Sequence, residues 1–519
     1  MSETPPLLTV AGLSLSRGSR QQLANLSFSL QSGETRVLLG EIGSGKEAVL
    51  QALAGYSVRS EDFSGSISVR GQPPFSVTRL KPDALRVVYL AGPAVLPLSP
   101  HVGVIAQLSR VISRKLSVPL ATGRTEFASA LHRLKGAPPL DVFEQRAGTL
   151  DPEVLVWALF AAAFAQTPEL LIADDPMLGL GPTQAHAMID ILREEQKRAG
   201  FALLYATMNT EAALWLNADV TVLRQGKVVE EGAVARLSGE QAHAYTKTLF
   251  RAAPRLALGD NSPRSDRRTE PVIQAHGLEF DTNGVREAVT FELRRGASLA
   301  LVGDRQSGRH ALMRAALGLD RIAAGRVILD AVDIGILTDT MLTRLRRRVA
   351  FISGDEDVLD PRMTLWDTVS EPLRAHLNLP RNVVAEAGEA ALKRVGLATL
   401  KSSAPVSALS PFDKRRLQVA RAIVSAPLLA VIDEPLRGLD AFAQSVMRDL
   451  LKVFRQQEGP ALIVITSDFT VAQALAEDVM VFKEGKIVDR GPISEVLRSP
   501  KDAHTRQLID AVLARPAGL

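Results

Sequence analysis

Gly40-Glu41-Ile42-Gly43-Ser44-Gly45-Lys46-Glu47 follows the aliphatic run Thr35 to Leu39 and leads straight into Ala48-Val49-Leu50. Strand, glycine-rich turn and helix start in that order predict a P-loop. Its glycines let consecutive backbone N–H groups wrap phosphates, the helix N-terminus adds a positive dipole, and the lysine reaches the terminal phosphates. A glycine-rich turn with no ligand would have no use for Lys46. Gly40, Gly43, Ser44, Gly45 and Lys46 are therefore candidate nucleotide-binding residues. A Ser or Thr normally follows the lysine and places its hydroxyl on Mg²⁺. Here Glu47 stands in that place, a candidate metal ligand that also brings negative charge beside the phosphates.

A second strand, Ser298 to Val302, runs into Gly303-Asp304-Arg305-Gln306-Ser307-Gly308-Arg309-His310. The frame is kept and the chemistry altered. Arg309 offers a planar fork instead of a compact ammonium, and His310 replaces the metal-binding hydroxyl. Gln306 stands where the first loop has a glycine, and in a left-handed conformation it would cost ~1–2 kcal/mol. Gly303, Ser307, Gly308, Arg309 and His310 form the second candidate nucleotide site.

The duplication extends well beyond the loops. Leu171 to Pro176 reappears as Ala430 to Pro435, and Gly226 to Gly232 as Gly485 to Gly491, both offset by 259 residues. A constant offset between distant motifs indicates two whole domains, not a short solenoid repeat. Within each copy, short aliphatic strands (Arg36 to Leu39, Leu170 to Ala173, Leu203 to Ala206) alternate with helical stretches such as Thr183 to Arg198. That alternation predicts an α/β fold with a mainly parallel sheet. Leu258 to Glu270 is polar and turn-rich, which places a linker at 253–270 between domains at 6–252 and 271–512.

Composition agrees with this reading. A chain of 519 residues exceeds what one core usually organises. With 61 Lys+Arg against 57 Asp+Glu, the net charge of +4 gives no nucleic-acid signature. There is no cysteine, so disulfides and thiolate metal sites are excluded. The longest apolar run, Val154 to Ala165, is too short for the ~20 residues of a membrane span and predicts a buried helix. Met-Ser-Glu-Thr-Pro-Pro at the start has no basic-then-apolar pattern, so a cytosolic chain that meets membranes only through partners is expected.

From Leu8 to about Leu508 the chain resembles the fused double ATPases of oligopeptide and dipeptide ABC importers. Leu359 to Thr364 followed by Glu371-Pro372-Leu373, and His243 to Thr246, are similar to segments of that family. The resemblance implies two tandem P-loop nucleotide-binding domains, each with a helical subdomain. It implies ATP and Mg²⁺ as cofactors, permease subunits and indirectly a substrate-binding protein as partners, and a place on the cytoplasmic face of the inner or plasma membrane.

It also assigns roles to single residues. Asp174 and Asp433 end the Walker B strands and would reach the metal; Asp175 and Glu434 follow as candidate catalytic carboxylates. Asp175 is one methylene shorter than the usual glutamate. Signature motifs align with Leu150 to Val154 and Leu409 to Asp413, where prolines replace glycines that offer N–H groups to phosphate; Ser410 keeps one donor. The switch histidine falls on Met208 and Ser467, the Q-loop glutamine on Ala91 and Ser353, and the adenine-stacking aromatics on Arg17 and Thr282, with Phe280 nearby. In this family each signature faces the other copy's P-loop. One composite site then keeps the lysine and the other the glutamate.

Three functions follow: an energising importer subunit, a catalytically impaired regulator or scaffold of a permease, or a non-transport cassette protein. The third usually carries a long interdomain insertion, which this chain lacks.

Overall fold

The structure, a computed structural model, describes residues 5–18, 20–55, 61–76, 85–92, 98–253, 256, 270–282, 284–322, 324–355, 358–376 and 379–513. Two compact units emerge, one holding described residues up to Leu180 and from Gln184 to Ala253, the other those from Leu256 to Leu513. Of the expected linker, all but Ala253, Leu256 and Glu270 lies outside the described residues.

The first unit is organised by a six-stranded sheet among the described residues. Its order is Lys227–Ala233, Asp219–Arg224, Thr35–Leu39, Ala202–Thr207, Leu170–Asp174, Val87–Ala91. The last five strands run parallel, and the first closes the edge as an antiparallel hairpin. Ala202–Thr207 is buried at every position, as continuous apolar runs become when helices cover both faces. The expected strands and the helix Pro182–Ala199 are found within one residue at either end. A second, antiparallel sheet of Arg20–Leu30, Leu8–Arg17, Glu61–Val69 and Phe75–Ser76 lies alongside.

The second unit repeats this plan. Among the described residues its six strands are ordered Val349–Ser353, Leu429–Asp433, Ala461–Thr466, Ser298–Gly303, Asp478–Lys483, Lys486–Pro492. In both units the P-loop strand sits between the strand that follows Walker B and the hairpin. The loop therefore opens beside the carboxyl end of Walker B, where parallel α/β sheets bind ligands.

Each unit also carries a helical group: Val104–Leu116, Leu120–Arg133 and Pro152–Ala165 in the first, Leu365–His376, Arg381–Arg394 and Pro411–Ser425 in the second. Pro152–Ala165 is the expected buried helix, with Val156 and every residue from Ala158 to Ala165 buried. Burying side chains such as Phe160 and Phe164 contributes about 1.5–3 kcal/mol each before entropy is counted. Its counterpart Pro411–Ser425 is amphipathic instead, and buries the charged Arg415. Among the described residues no helix is long and apolar enough to cross a membrane.

Candidate functional sites

The first P-loop has the shape its glycines predict. Gly45 adopts φ 103 at the head of the helix Lys46–Ala54, and a Cβ there would meet the Gln22 carbonyl at 2.7 Å. A Cβ on Gly40 would meet the Leu223 carbonyl at 2.5 Å, so the loop is a cradle that only glycine leaves open. Inside it, Ser44 Oγ is buried without a hydrogen-bond partner. Lys46 is buried, and its Nζ donates to the Glu41 carbonyl and to Glu47 Oε1, both at 3.1 Å. An unpartnered hydroxyl and an ammonium against a backbone cradle fit a polyphosphate.

Asp174 and Asp175 stand at the end of the strand Leu170–Asp174, one strand removed from the P-loop strand across Ala202–Thr207. Burial pushes the Asp174 carboxyl up, opposed by the Tyr89 hydroxyl, which donates to Oδ2 at 2.5 Å, while Glu47 pushes it further up. Asp175 is partly buried, and burial raises its pKa to about 6 even though Met208 N–H (3.3 Å) and Thr207 Oγ1 (3.0 Å) donate to its oxygens. One ammonium therefore faces three carboxylates: Glu47, Asp174 and Asp175. No group of three His, Cys, Asp or Glu converges as a metal cage among the described residues. Mg²⁺ held on a nucleotide needs only one or two protein carboxylates, and Glu47 and Asp174 are a chemically suitable pair.

In the second unit a Cβ on Gly303 would meet the Phe482 carbonyl at 2.6 Å, and Gly308 takes φ 105. Gln306 is not among the residues with positive φ, whereas Gly43 has φ 76. The feared strain at Gln306 is thus avoided, because this part of the loop turns differently. Ser307 Oγ is buried and unpartnered, as Ser44 is.

The cations are arranged differently as well. Arg309, 2% exposed at its side chain, donates from Nη2 to Glu434 Oε1 at 2.8 Å, while its Nε and Nη1 are buried without hydrogen-bond partners. His310 Nε2 lies 3.1 Å from both carboxylate oxygens of Asp433. Glu434 also accepts from Ser467 N–H (2.9 Å) and Thr466 Oγ1 (3.3 Å), as Asp175 does from Met208 and Thr207. Both carboxylates sit on left-handed backbone, φ 39 at Asp175 and φ 45 at Glu434, a strain of ~1–2 kcal/mol held by N–H bonds to Ala206 and Ile465 carbonyls at 2.8 Å.

Other expected positions fall as follows. Ala91 and Ser353 pair with Asp174 and Asp433 across the neighbouring strands. Phe280 is buried, and its ring and Thr282 lie against Gly308. Arg17 ends a strand of the antiparallel sheet. Ser410 caps its helix, its hydroxyl accepting from Asp413 N–H at 3.1 Å, whereas Asp151 makes no side-chain cap bond.

Sequence reasoning passed over Tyr89 and Arg415. The Arg415 guanidinium donates to the Pro435 carbonyl at 2.6 Å and the Gly354 carbonyl at 2.5 Å, clamping the turn after Glu434. An arginine on the inner face of a mostly apolar helix stripe was its only signal.

The family model described as ABC transporter matches residues 23–178 and again 287–437. Among curated proteins, the chain is 28% identical to an uncharacterized ABC transporter ATP-binding protein, YejF, of Escherichia coli K12, over 98% of this chain and 99% of that one. It is 27% identical to the peptidoglycan transport ATP-binding protein YejF of Agrobacterium fabrum C58, over 98% and 97%. It is also 27% identical to the glutathione import ATP-binding protein GsiA of Escherichia coli K12, over 98% and 90%.

Proposed function

Because the chain belongs to the ABC transporter family, with two ATP-binding cassettes fused in tandem, we propose that it is the ATP-binding subunit of an importer of peptides or similar small solutes. The cassettes are taken as 6–252 and 271–512, joined by 253–270. The subunit docks on the cytoplasmic face of the membrane through permease subunits that a substrate-binding protein supplies. The observation that carries this is end-to-end similarity to transport and import ATP-binding proteins, with almost the whole of this chain and of each relative covered. Copurification with a multispanning permease tests it; a chain that recovers no such partner from its native membranes sinks it.

In the first cassette Gly40, Gly43, Ser44, Gly45 and Lys46 hold the phosphates, and Glu47 with Asp174 would hold Mg²⁺. The bound metal would neutralise phosphate charge and fix the geometry of the terminal phosphoryl group. Asp175 is the candidate base, but its carboxylate is short, and a displacement of ~1 Å in a positioned group costs ~10²-fold in rate. In the second cassette Gly303, Ser307, Gly308 and Arg309 take the phosphates, while Glu434, the full-length candidate base, is bound to Arg309.

That ion pair favours a second reading, in which nucleotide is held and hydrolysis is slow or absent, so that the subunit regulates its permease more than it drives it. An ATPase assay on the purified chain decides. Robust turnover abolished by Glu434→Gln overturns the impaired reading.

A further inference from the structure

We infer that the second cassette takes up nucleotide without a divalent cation, because His310 and Arg309 already occupy the two carboxylates that a metal and its water would use. The inference rests on the ATP-binding reading above and concerns only how the two halves differ in filling that site.

In the second unit both carboxylates at the strand end are already engaged by side chains. His310 Nε2 sits 3.1 Å from each oxygen of Asp433, so a metal approaching Asp433 would have to displace the ring. Glu434 Oε1 is held by Arg309 Nη2 at 2.8 Å and by Ser467 N–H at 2.9 Å. Mg²⁺ coordinates hard oxygen ligands in a strict octahedron and does not share a carboxylate with an imidazole donor easily. The residues present do not fit the metal.

They do fit phosphate. Arg309 is almost fully buried, yet two of its three nitrogens, Nε and Nη1, have no acceptor, and Ser307 Oγ of the same loop is likewise unpartnered. A buried donor left unpaired is unfavourable, so three at one loop mark the place of an anion that accepts from all of them. A guanidinium edge pairs with two phosphate oxygens in parallel. The local charge permits this as well: a guanidinium and an imidazole face two carboxylates, both already engaged.

The first unit has the opposite balance. Glu47, its side chain 43% exposed, replaces His310, and a single ammonium faces three carboxylates. Adding a polyphosphate there without a divalent cation brings like charges together, so nucleotide and metal must enter as a pair.

The test uses the full chain and N-methylanthraniloyl-ATP, titrated by fluorescence in excess EDTA and in excess Mg²⁺. In Lys46→Ala one class of site should persist, with affinities within about twofold in the two buffers. Arg309→Ala should remove that class and leave one that loses at least tenfold in EDTA. Because Arg309→Ala also strips Glu434 of its partner, Arg309→Lys serves as the folded control. It should weaken the class, yet leave it indifferent to EDTA. Mn²⁺ counted by electron paramagnetic resonance in the presence of ATP should give one ion per wild-type chain and two in His310→Ser. Loss of the persistent class in Lys46→Ala, its dependence on Mg²⁺, or two Mn²⁺ on the wild type overturns the inference. Failure of the wild type to bind nucleotide in either buffer overturns the ATP-binding reading itself.

Discussion

Asp174-Asp175 and Asp433-Glu434 end equivalent strands, on the same left-handed turn, with the same threonine hydroxyl and backbone N–H beside the second carboxylate. The difference lies in the cation. Lys46 donates to Glu41 and Glu47 and not to Asp175, whose own hydrogen-bond donors are neutral, so burial outweighs the ammonium and lifts its pKa. Arg309 reaches across to Glu434 and pairs with it. Arginine for lysine, together with glutamate for aspartate, thus replaces a carboxylate that burial makes costly to ionise with one that is half of an ion pair. The lesson is that a carboxylate's worth depends on where the neighbouring cation can reach.

The sharpest way to break that comparison is the same carboxylate-to-amide change in each half, because the two should have opposite signs. Glu434→Gln leaves the Arg309 guanidinium, 2% exposed, without its charge partner. Removing one member of a buried pair costs about 3–5 kcal/mol. The unfolding midpoint of the second unit should fall by on the order of 10 °C. An unchanged midpoint in calorimetry would show that the pair holds nothing together.

Asp175→Asn should stabilise, and its gain should depend on pH. The folded-state pKa of about 6 lies above the ordinary 3.8, so the protonated form favours folding. That contribution is complete below about pH 4 and is lost as pH rises through 6. An amide cannot ionise, so the variant gains nothing near pH 4 and up to about 3 kcal/mol above pH 6. Urea titrations in EDTA from pH 4 to 8 check this. A gain that stays flat across that range means Asp175 is not the titrating group.

Most of the fold was legible because it rests on patterns that physics makes obligatory. Continuous aliphatic runs become the buried parallel strands, and Val154 to Ala165, apolar on all sides, becomes the buried helix. The P-loop glycines announced their own backbone. What the sequence hid is directional. That Arg309 would reach Glu434, 125 positions away, or that His310 would straddle Asp433, depends on side-chain reach across strands. Tyr89 was unreadable for the same reason: it reads as a core aromatic until its hydroxyl is seen on Asp174. Gln306 misled in the other direction, since a glycine's absence suggested strain that the chain avoids by turning differently.

That last point supplies a smaller test. Gly43 has φ 76, and a Cβ there would meet nothing within 4 Å, so Gly43→Gln should carry only the conformational cost of ~1–2 kcal/mol. Gln306→Gly should relieve nothing and should lose up to about 1 kcal/mol by freeing the unfolded chain. Equal penalties in thermal melts would mean that the two loops share one backbone after all.

The smallest expected difference lies at the helix starts. Ser410 and Asp151 both precede a proline at the first helical position, and either side chain is a good cap by type. Only Ser410 accepts from the N–H three residues on, at 3.1 Å. Ser410→Ala should therefore cost about 1 kcal/mol, with Ser410→Thr recovering most of it. Asp151→Ala should cost less, since no cap bond is lost. The serine proton is uncommitted by the cap, because the hydroxyl oxygen accepts and its hydrogen points elsewhere; Ser410→Ala thus removes a donor as well as a cap. A stability loss restored by threonine together with nucleotide affinity would tie both roles to the hydroxyl. Equal losses at Asp151 and Ser410 would place the cause in the shared proline instead.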